Sequence, residues 1–120
     1  MEIIKTMRVA VASSGKGKID IHFGQAEDFL VFDLLADVPS FVEKRIINDY
    51  YRSGEGEDDK RDVILRVLSD CQALFLARVG DGPRKKLVNA GIVPVDEFSG
   101  EAIESSILGW LAKAAPVHLA

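Results

Sequence analysis

His22 is the side chain of this sequence with the clearest capacity for metal chemistry. It lies in a polar, glycine-bearing stretch, directly before Phe23 and Gly24, and not on an apolar helix face. An imidazole nitrogen coordinates iron, zinc and other transition metals. The same ring could instead hydrogen-bond to the backbone and cap a loop, and the sequence leaves both roles open. Gly24 suits a position that needs a positive φ or the close approach of a ligand.

A second glycine-bearing loop, Gly80-Asp81-Gly82-Pro83, precedes a predicted helix. Such a loop is either an anion-binding helix terminus or an ordinary strand–turn–helix junction. It is not a P-loop, because no Gly-Lys-Ser/Thr follows the glycines. Basic residues around these loops form either a positive rim for an anion or a set of scattered solvated charges; they are Lys16, Lys18, Arg52 and Arg78.

Other types of chemistry have less support. Cys71 is the single cysteine, which excludes a disulfide framework and a self-sufficient four-thiolate iron–sulfur or zinc site. It belongs to the apolar face of a predicted helix, which is typical of an inert buried thiol. The acidic run at 55–59 lacks the spacing of a calcium loop and is typical of a helix N-terminus. No nucleophile-elbow motif surrounds Ser13 or Ser14.

Composition limits the class of protein. With 48% hydrophobic residues in 120, the chain can form one domain with a real core. The formal net charge of −4 disfavours general binding to nucleic acid or to anionic membranes. There is neither an apolar run long enough to span a bilayer nor a signal-peptide pattern. We expect a cytoplasmic protein with a flexible leader at 1–6, one domain at 7–114 and a frayed tail at 115–120.

Apolar periodicity predicts five strands and three helices. In chain order they are strands at 8–12, 29–34 and 41–48, a helix at about 58–71, a strand at 73–77, a helix from about Pro83 to Gly91, a strand at 92–95 and a helix that opens at 99–101. A turn is expected at 37–40, between the second and third strands. Trp110, in the last helix, is expected to anchor the core. Short connections favour an antiparallel meander followed by right-handed parallel crossovers. The expected fold is therefore α/β, with a mixed five-stranded sheet and helices on its faces.

This topology brings three loops to one edge of the sheet. They are 13–24, 50–59 and 79–83, and ligands of open α/β sheets bind at the carboxyl ends of strands. Cys71 precedes the fourth strand and so belongs to the opposite edge, away from His22. The strand order is also that of ribonuclease H-like nucleases, but two-metal nuclease chemistry needs a carboxylate on the first strand, and residues 8–12 contain none.

The ordered set of motifs resembles the nitrogenase iron–molybdenum cofactor biosynthesis family, which includes NifX-type carriers, the NafY core and the C-terminal domain of NifB. The likeness rests on Arg8-Val9-Ala10-Val11-Ala12-Ser13 and on His22-Phe23-Gly24-Gln25-Ala26-Glu27-Asp28-Phe29, with further agreement at 56–59, 70–73 and 87–95. It covers roughly Met7 to Trp110. The resemblance implies a ribonuclease H-like fold.

The resemblance also implies a function. Family members bind, store or transfer the iron–molybdenum cofactor or its iron–sulfur precursor during nitrogenase maturation, and the family's cluster-binding histidine corresponds to His22. The expected metal ligand is therefore His22, and the expected cofactor-binding set is His22, Phe23, Gly24, Ser13, Lys16, Arg52 and Gly80. The three-cysteine motif of the radical-SAM part of NifB is absent, so we expect no catalysis.

The expected partners are nitrogenase maturation proteins or apo-nitrogenase, with no role for nucleic acid or membrane. An alternative is a regulatory or interaction domain that binds an apo-nitrogenase or a maturation protein without holding metal. The least supported alternative is an unrecognised hydrolase.

Overall fold

A computed structural model describes residues 7–51 and 59–114 of the chain. Its sheet has the strand order β3-β2-β1-β4-β5. The strands are β1 (Met7–Val11), β2 (Asp28–Leu35), β3 (Val38–Ile46), β4 (Ala73–Phe75) and β5 (Val93–Val95). The first three strands are antiparallel neighbours, whereas β4 is parallel to β1 and β5 is parallel to β4. The predicted mixed five-stranded α/β sheet is thus confirmed, and its ribonuclease H-like label stays a prediction.

Three helices and two 3-10 turns complete the described chain. They are α1 (Lys60–Val67), α2 (Asp81–Asn89), α3 (Ile103–Ala114) and the turns Phe23–Gln25 and Ile47–Tyr50. No helix in the ranges 7–51 and 59–114 is long and apolar enough to cross a bilayer. The predicted leader at 1–6, the tail at 115–120 and Arg52 lie outside the described residues.

The first helix is shorter than the periodicity predicted. It begins where the Asp59 carboxylate accepts a hydrogen bond from the Arg61 backbone N–H at 2.9 Å, so that Asp59 has the predicted role of an acidic N-terminal residue. It ends at Val67 and not near Cys71, because the chain turns at Leu68 and Asp70 is held by arginine side chains of the sheet. The apolar face predicted for this helix is nevertheless the face that is buried.

The β2–β3 hairpin differs from the prediction. The turn is not at 37–40 but consists of Ala36 and Asp37, with φ of 51° and 66°. Positive φ at both central residues matches the twist of the two strands. Strand β3 therefore begins at Val38, and Pro39 is tolerated inside it because β3 is an edge strand.

Both faces of the sheet are covered, as the apolar run of β2 predicted. On one face Phe29 and Val31 pack with buried residues of α1 and α2. On the other face Phe32 belongs to a cluster with Phe75 and residues of α3. Trp110 contacts Phe75 edge-to-face with ring centroids 5.5 Å apart, which confirms its predicted core contact.

An ion-pair network joins the sheet to the segment that follows α1. The Arg45 side chain, only 9% exposed, contacts Asp70 at 2.7 Å and Glu43 at 2.8 Å, and it donates to the Val67 carbonyl. Arg8 contacts Asp33 at 2.6 Å and also reaches Asp70 at 2.8 Å. Hydrogen bonds from Arg45 hold the pKa of Asp70 well below its usual range. Asp70 thereby links the end of α1 to the sheet.

We predict that Asp70→Asn destabilises the fold by about 1–3 kcal/mol at pH 7, since it leaves the buried Arg45 guanidinium without its main carboxylate. The folded-state pKa of Asp70 is lowered from 3.8. Its contribution is therefore present above pH ~4 and is lost as the pH falls through the lower folded pKa. Urea unfolding at pH 7 and pH 3 measures the difference.

The control for this prediction is Asp49→Asn, which removes an exposed carboxylate and leaves stability unchanged. A stability difference between wild type and Asp70→Asn that is equally large at both pH values would contradict the assignment of this pH-dependent contribution to the Asp70 carboxylate.

Candidate functional site

A short parallel pairing beyond the end of β1 fixes the position of His22. The Ala77 N–H donates to the Ile21 carbonyl and the Phe23 N–H donates to the Arg78 carbonyl, each at 2.9 Å. His22 and Arg78 are therefore bridge partners. Phe23 is 4% exposed and anchors the turn in the core. Because paired residues of adjacent strands point to the same face, the exposed His22 and Arg78 side chains lie side by side.

These two side chains line a surface cavity of about 370 Å³. One wall is the turn from His22 to Gln25, the second is the start of α1, and the third is the segment that leads from Arg78 into α2. Phe23, Ile64 and Pro83 contribute apolar surface. The site is thus at the carboxyl end of the parallel strands, as the topology predicted.

Three basic residues line this cavity, and they differ in what they contact. Arg61 pairs with Asp59 at 2.9 Å, and this contact lowers the pKa of Asp59 to about 2. Lys60 Nζ donates to the Gly24 carbonyl at 3.3 Å. The Arg78 side chain makes no hydrogen bond or ion pair with any residue in 7–51 or 59–114. With respect to the described residues, Arg78 is consequently the cavity cation with an uncommitted charge.

The predicted site residues other than Arg52, which lies outside the described residues, fall into two groups. His22, Phe23, Gly24 and Gly80 all line the cavity, and Phe23 does so while it anchors the turn. Two other predicted residues, Ser13 and Lys16, do not line it.

Ser13 and Lys16 lie in the loop after β1, outside the cavity lining. The Ser13 hydroxyl accepts from the Gly15 N–H at 3.2 Å, and Ser13 borders a neighbouring cavity. Lys16 lies near Asp20, whose pKa is lowered chiefly by a hydrogen bond from the Ser14 hydroxyl. A binding role for Ser13, Lys16 or Arg52 stays a prediction.

Lys60 and Arg61 are site residues that the sequence analysis missed. They follow the acidic run directly, and the loop before them was already predicted to reach the ligand edge. The basic pair at the start of a helix on that edge was the available signal. Ile64 carried no comparable signal, because its side chain suits any helix.

Gly24 differs from its predicted conformation. Its φ lies outside the positive range. The prediction that this position needs glycine for a positive φ is therefore wrong. A Cβ built on Gly24 would meet no atom within 4 Å. The protein itself therefore leaves room at this position, and the second reason, the close approach of a ligand, stays a prediction.

Cys71 belongs to the opposite edge of the sheet and is 3% exposed, as predicted. Burial, and then the neighbouring Asp70 carboxylate, raise the pKa of its thiol to about 12, which makes it a poor nucleophile and ligand. Among the described residues there is no group of three or more His, Cys, Asp or Glu side chains that could hold a metal ion. Of the described residues that line the cavity, His22 is the one with a His, Cys, Asp or Glu side chain, so a metal there would need ligands beyond these residues.

The family model described as dinitrogenase iron-molybdenum cofactor matches residues 5–113. The chain belongs to this family. It is 43% identical over 105 residues to the FeMo cofactor biosynthesis protein NifB of Bradyrhizobium diazoefficiens, a match that covers 88% of this chain and 21% of that protein. It is 33% identical over 105 residues to the protein of the same name from Herbaspirillum seropedicae, covering 88% of this chain and 20% of that one. The resemblance stated from the motifs is confirmed.

This family member spans about one fifth of the length of the curated relatives that it matches. Its fold is similar to that of the apo form of the orange protein from Desulfovibrio gigas, with a TM-score of 0.66 at 22% identity and 92% of each chain covered. At this identity the likeness concerns the fold alone.

We predict that Gly24→Ala leaves the free energy of unfolding within about 0.5 kcal/mol of wild type, because the Gly24 backbone suits alanine and the added methyl meets open space. The matched control is Gly91→Ala, where φ is +83°. Alanine in that left-handed conformation costs about 1 kcal/mol or more. Urea unfolding compares the two, and equal destabilisation by both substitutions would contradict the Gly24 geometry.

Proposed function

We propose that this protein binds an iron–sulfur cofactor of nitrogenase, either the iron–molybdenum cofactor or its precursor, and that it stores or transfers this cargo without catalysing a reaction. Family membership and the NifB relatives support a role in nitrogenase cofactor maturation. The observation that carries the binding role is the placement of His22 beside the uncommitted Arg78 at a basic cavity. His22 is the proposed terminal metal ligand.

A preassembled cluster suits this set of side chains. Its irons are already bridged by sulfide, so the protein has to supply one terminal ligand and compensation for negative charge, not a complete coordination sphere. The imidazole of His22 can supply the terminal ligand, and Arg78 and Lys60 can compensate the negative charge. A single metal–protein bond also suits a carrier, because only that bond must break when the cargo is handed over.

The surface position of the cavity is consistent with transfer. His22 is exposed, so another protein can approach the cargo while it is still bound. We propose that the donors and acceptors are other nitrogenase maturation proteins or apo-nitrogenase. The ribonuclease H-like assignment of the fold belongs to the same proposal.

A second candidate function is a regulatory or interaction domain that binds a maturation protein or apo-nitrogenase without metal. The edge strand β3 favours it, since Val38, Phe41 and Ile46 are between 43% and 60% exposed there. Equal capture of the same partner from cofactor-free and cofactor-replete extracts, together with no binding of isolated cofactor, would favour this candidate over the carrier.

We predict that His22→Ala weakens binding of isolated iron–molybdenum cofactor, or of its precursor, by at least about tenfold, which corresponds to 1.4 kcal/mol of binding free energy. Anaerobic titration, followed by desalting and iron analysis of the protein fraction, measures the affinity. The control is His118→Ala, which removes the one other histidine of the chain and leaves affinity unchanged. Wild-type affinity in His22→Ala would refute the ligand assignment.

A further inference from the structure

We infer that the His22 cavity selects its cargo by negative charge and binds the more reduced state of a metal–sulfur cluster more tightly, with Arg78 as the residue that sets this preference. The inference rests on the proposed function, because it concerns the cargo of the same site. It goes beyond the proposed function in two respects: it specifies which redox state of the cargo the site favours, and it specifies which side chain distinguishes the redox states.

The charge of the cavity differs in sign from that of the whole chain. The protein has a formal net charge of −4, yet the charged residues among the described part of the cavity lining are Lys60, Arg61 and Arg78, with no carboxylate in that described part. The proposed ligand, His22, contributes a neutral donor nitrogen where most iron–sulfur sites contribute thiolates. A cluster in this cavity therefore meets positive charge without the negative charge of cysteine ligands.

The three cations contribute unequally to this field. The charge of Arg61 is offset by Asp59 at 2.9 Å, and Lys60 is directed to the Gly24 carbonyl at 3.3 Å. Arg78 has no such partner among the described residues, and its backbone is fixed by the hydrogen bond that its carbonyl accepts from Phe23. The backbone of Arg78 is therefore fixed directly beside the proposed ligand, and its side chain extends from this fixed position.

Reduction changes the interaction with this cation. Each electron that enters a cluster adds one negative charge and breaks no bond to the protein. The attraction to Arg78 then grows, and the apolar surface of Phe23, Ile64 and Pro83 limits screening by water. By linkage, a site that prefers the reduced cluster must also raise the reduction potential of the cluster that it binds.

The test compares affinities for two redox states of one probe. Isolated iron–molybdenum cofactor is prepared in a one-electron oxidised state and in a state reduced by dithionite, which donates the electron. Anaerobic equilibrium dialysis with metal analysis then gives a Kd for each state. We expect wild type to bind the reduced state about tenfold more tightly, equivalent to a rise of about 59 mV in the reduction potential of the bound cluster for one electron.

Three variants locate the preference. Arg78→Gln is expected to bind through His22 but to lose most of the tenfold ratio, whereas Arg78→Lys keeps the charge and retains most of it. Lys44→Gln is the single-charge control, because Lys44 pairs with Leu30 and so lies on the sheet face opposite α1 and α2. It is expected to keep the full ratio. Since the Arg78 side chain has no partner in the described chain, Arg78→Gln is expected to fold normally, and circular dichroism checks this.

The outcomes separate this inference from the proposed function. Binding of both states with equal affinity by wild type, or an unchanged ratio in Arg78→Gln, overturns the inference while the carrier role stands. Absence of binding in either state by wild type, for the isolated cofactor and for its isolated precursor alike, overturns the carrier role and the inference with it. A ratio that collapses in Arg78→Gln and persists in Arg78→Lys and Lys44→Gln supports both.

Discussion

The parallel pairing of residues 21–23 with Ala77 and Arg78 is the constraint on which the candidate site depends. It consists of two backbone hydrogen bonds of 2.9 Å. Strand β1 ends at Val11, and residues 21–23 take its position beside the chain that follows β4. Phe23 secures it by inserting into the core between the sheet and α1. Without this pairing, His22 and Arg78 would belong to two independent loops, and the cavity between them would lose its shape.

Ion pairs elsewhere in the fold contribute to the contrast between an acidic protein and a basic cavity. The carboxylates of Asp33 and Asp70 are engaged by Arg8 and Arg45, and Asp59 is engaged as the N-cap of α1. Among the described residues that line the cavity, the charged side chains are Lys60, Arg61 and Arg78, and His22 adds one imidazole. Cys71 and the contacts of Arg8 with Asp33 and Asp70 lie at the amino ends of β1 and β4, whereas the cavity lies at the carboxyl ends of these strands.

Much of this arrangement could be predicted from local patterns. The two-sided burial of β2, the parallel crossovers and the convergence of the His22 and Gly80 loops all follow from apolar periodicity and from the topology rules. The hairpin turn could not, because Pro39 has the usual turn signal whereas Ala36, which actually adopts positive φ, has none. The pairing of His22 with Arg78 joins residues far apart in the chain, and no local pattern reveals it.

The central claim is that His22 supplies the bond between protein and metal. Pulsed EPR on protein that carries isotope-labelled histidine nitrogen and a paramagnetic form of the bound cofactor tests this bond directly. The account predicts hyperfine coupling from one histidine nitrogen, retained when His118 is replaced by alanine. A loaded protein whose cluster shows no coupling to histidine nitrogen would contradict it.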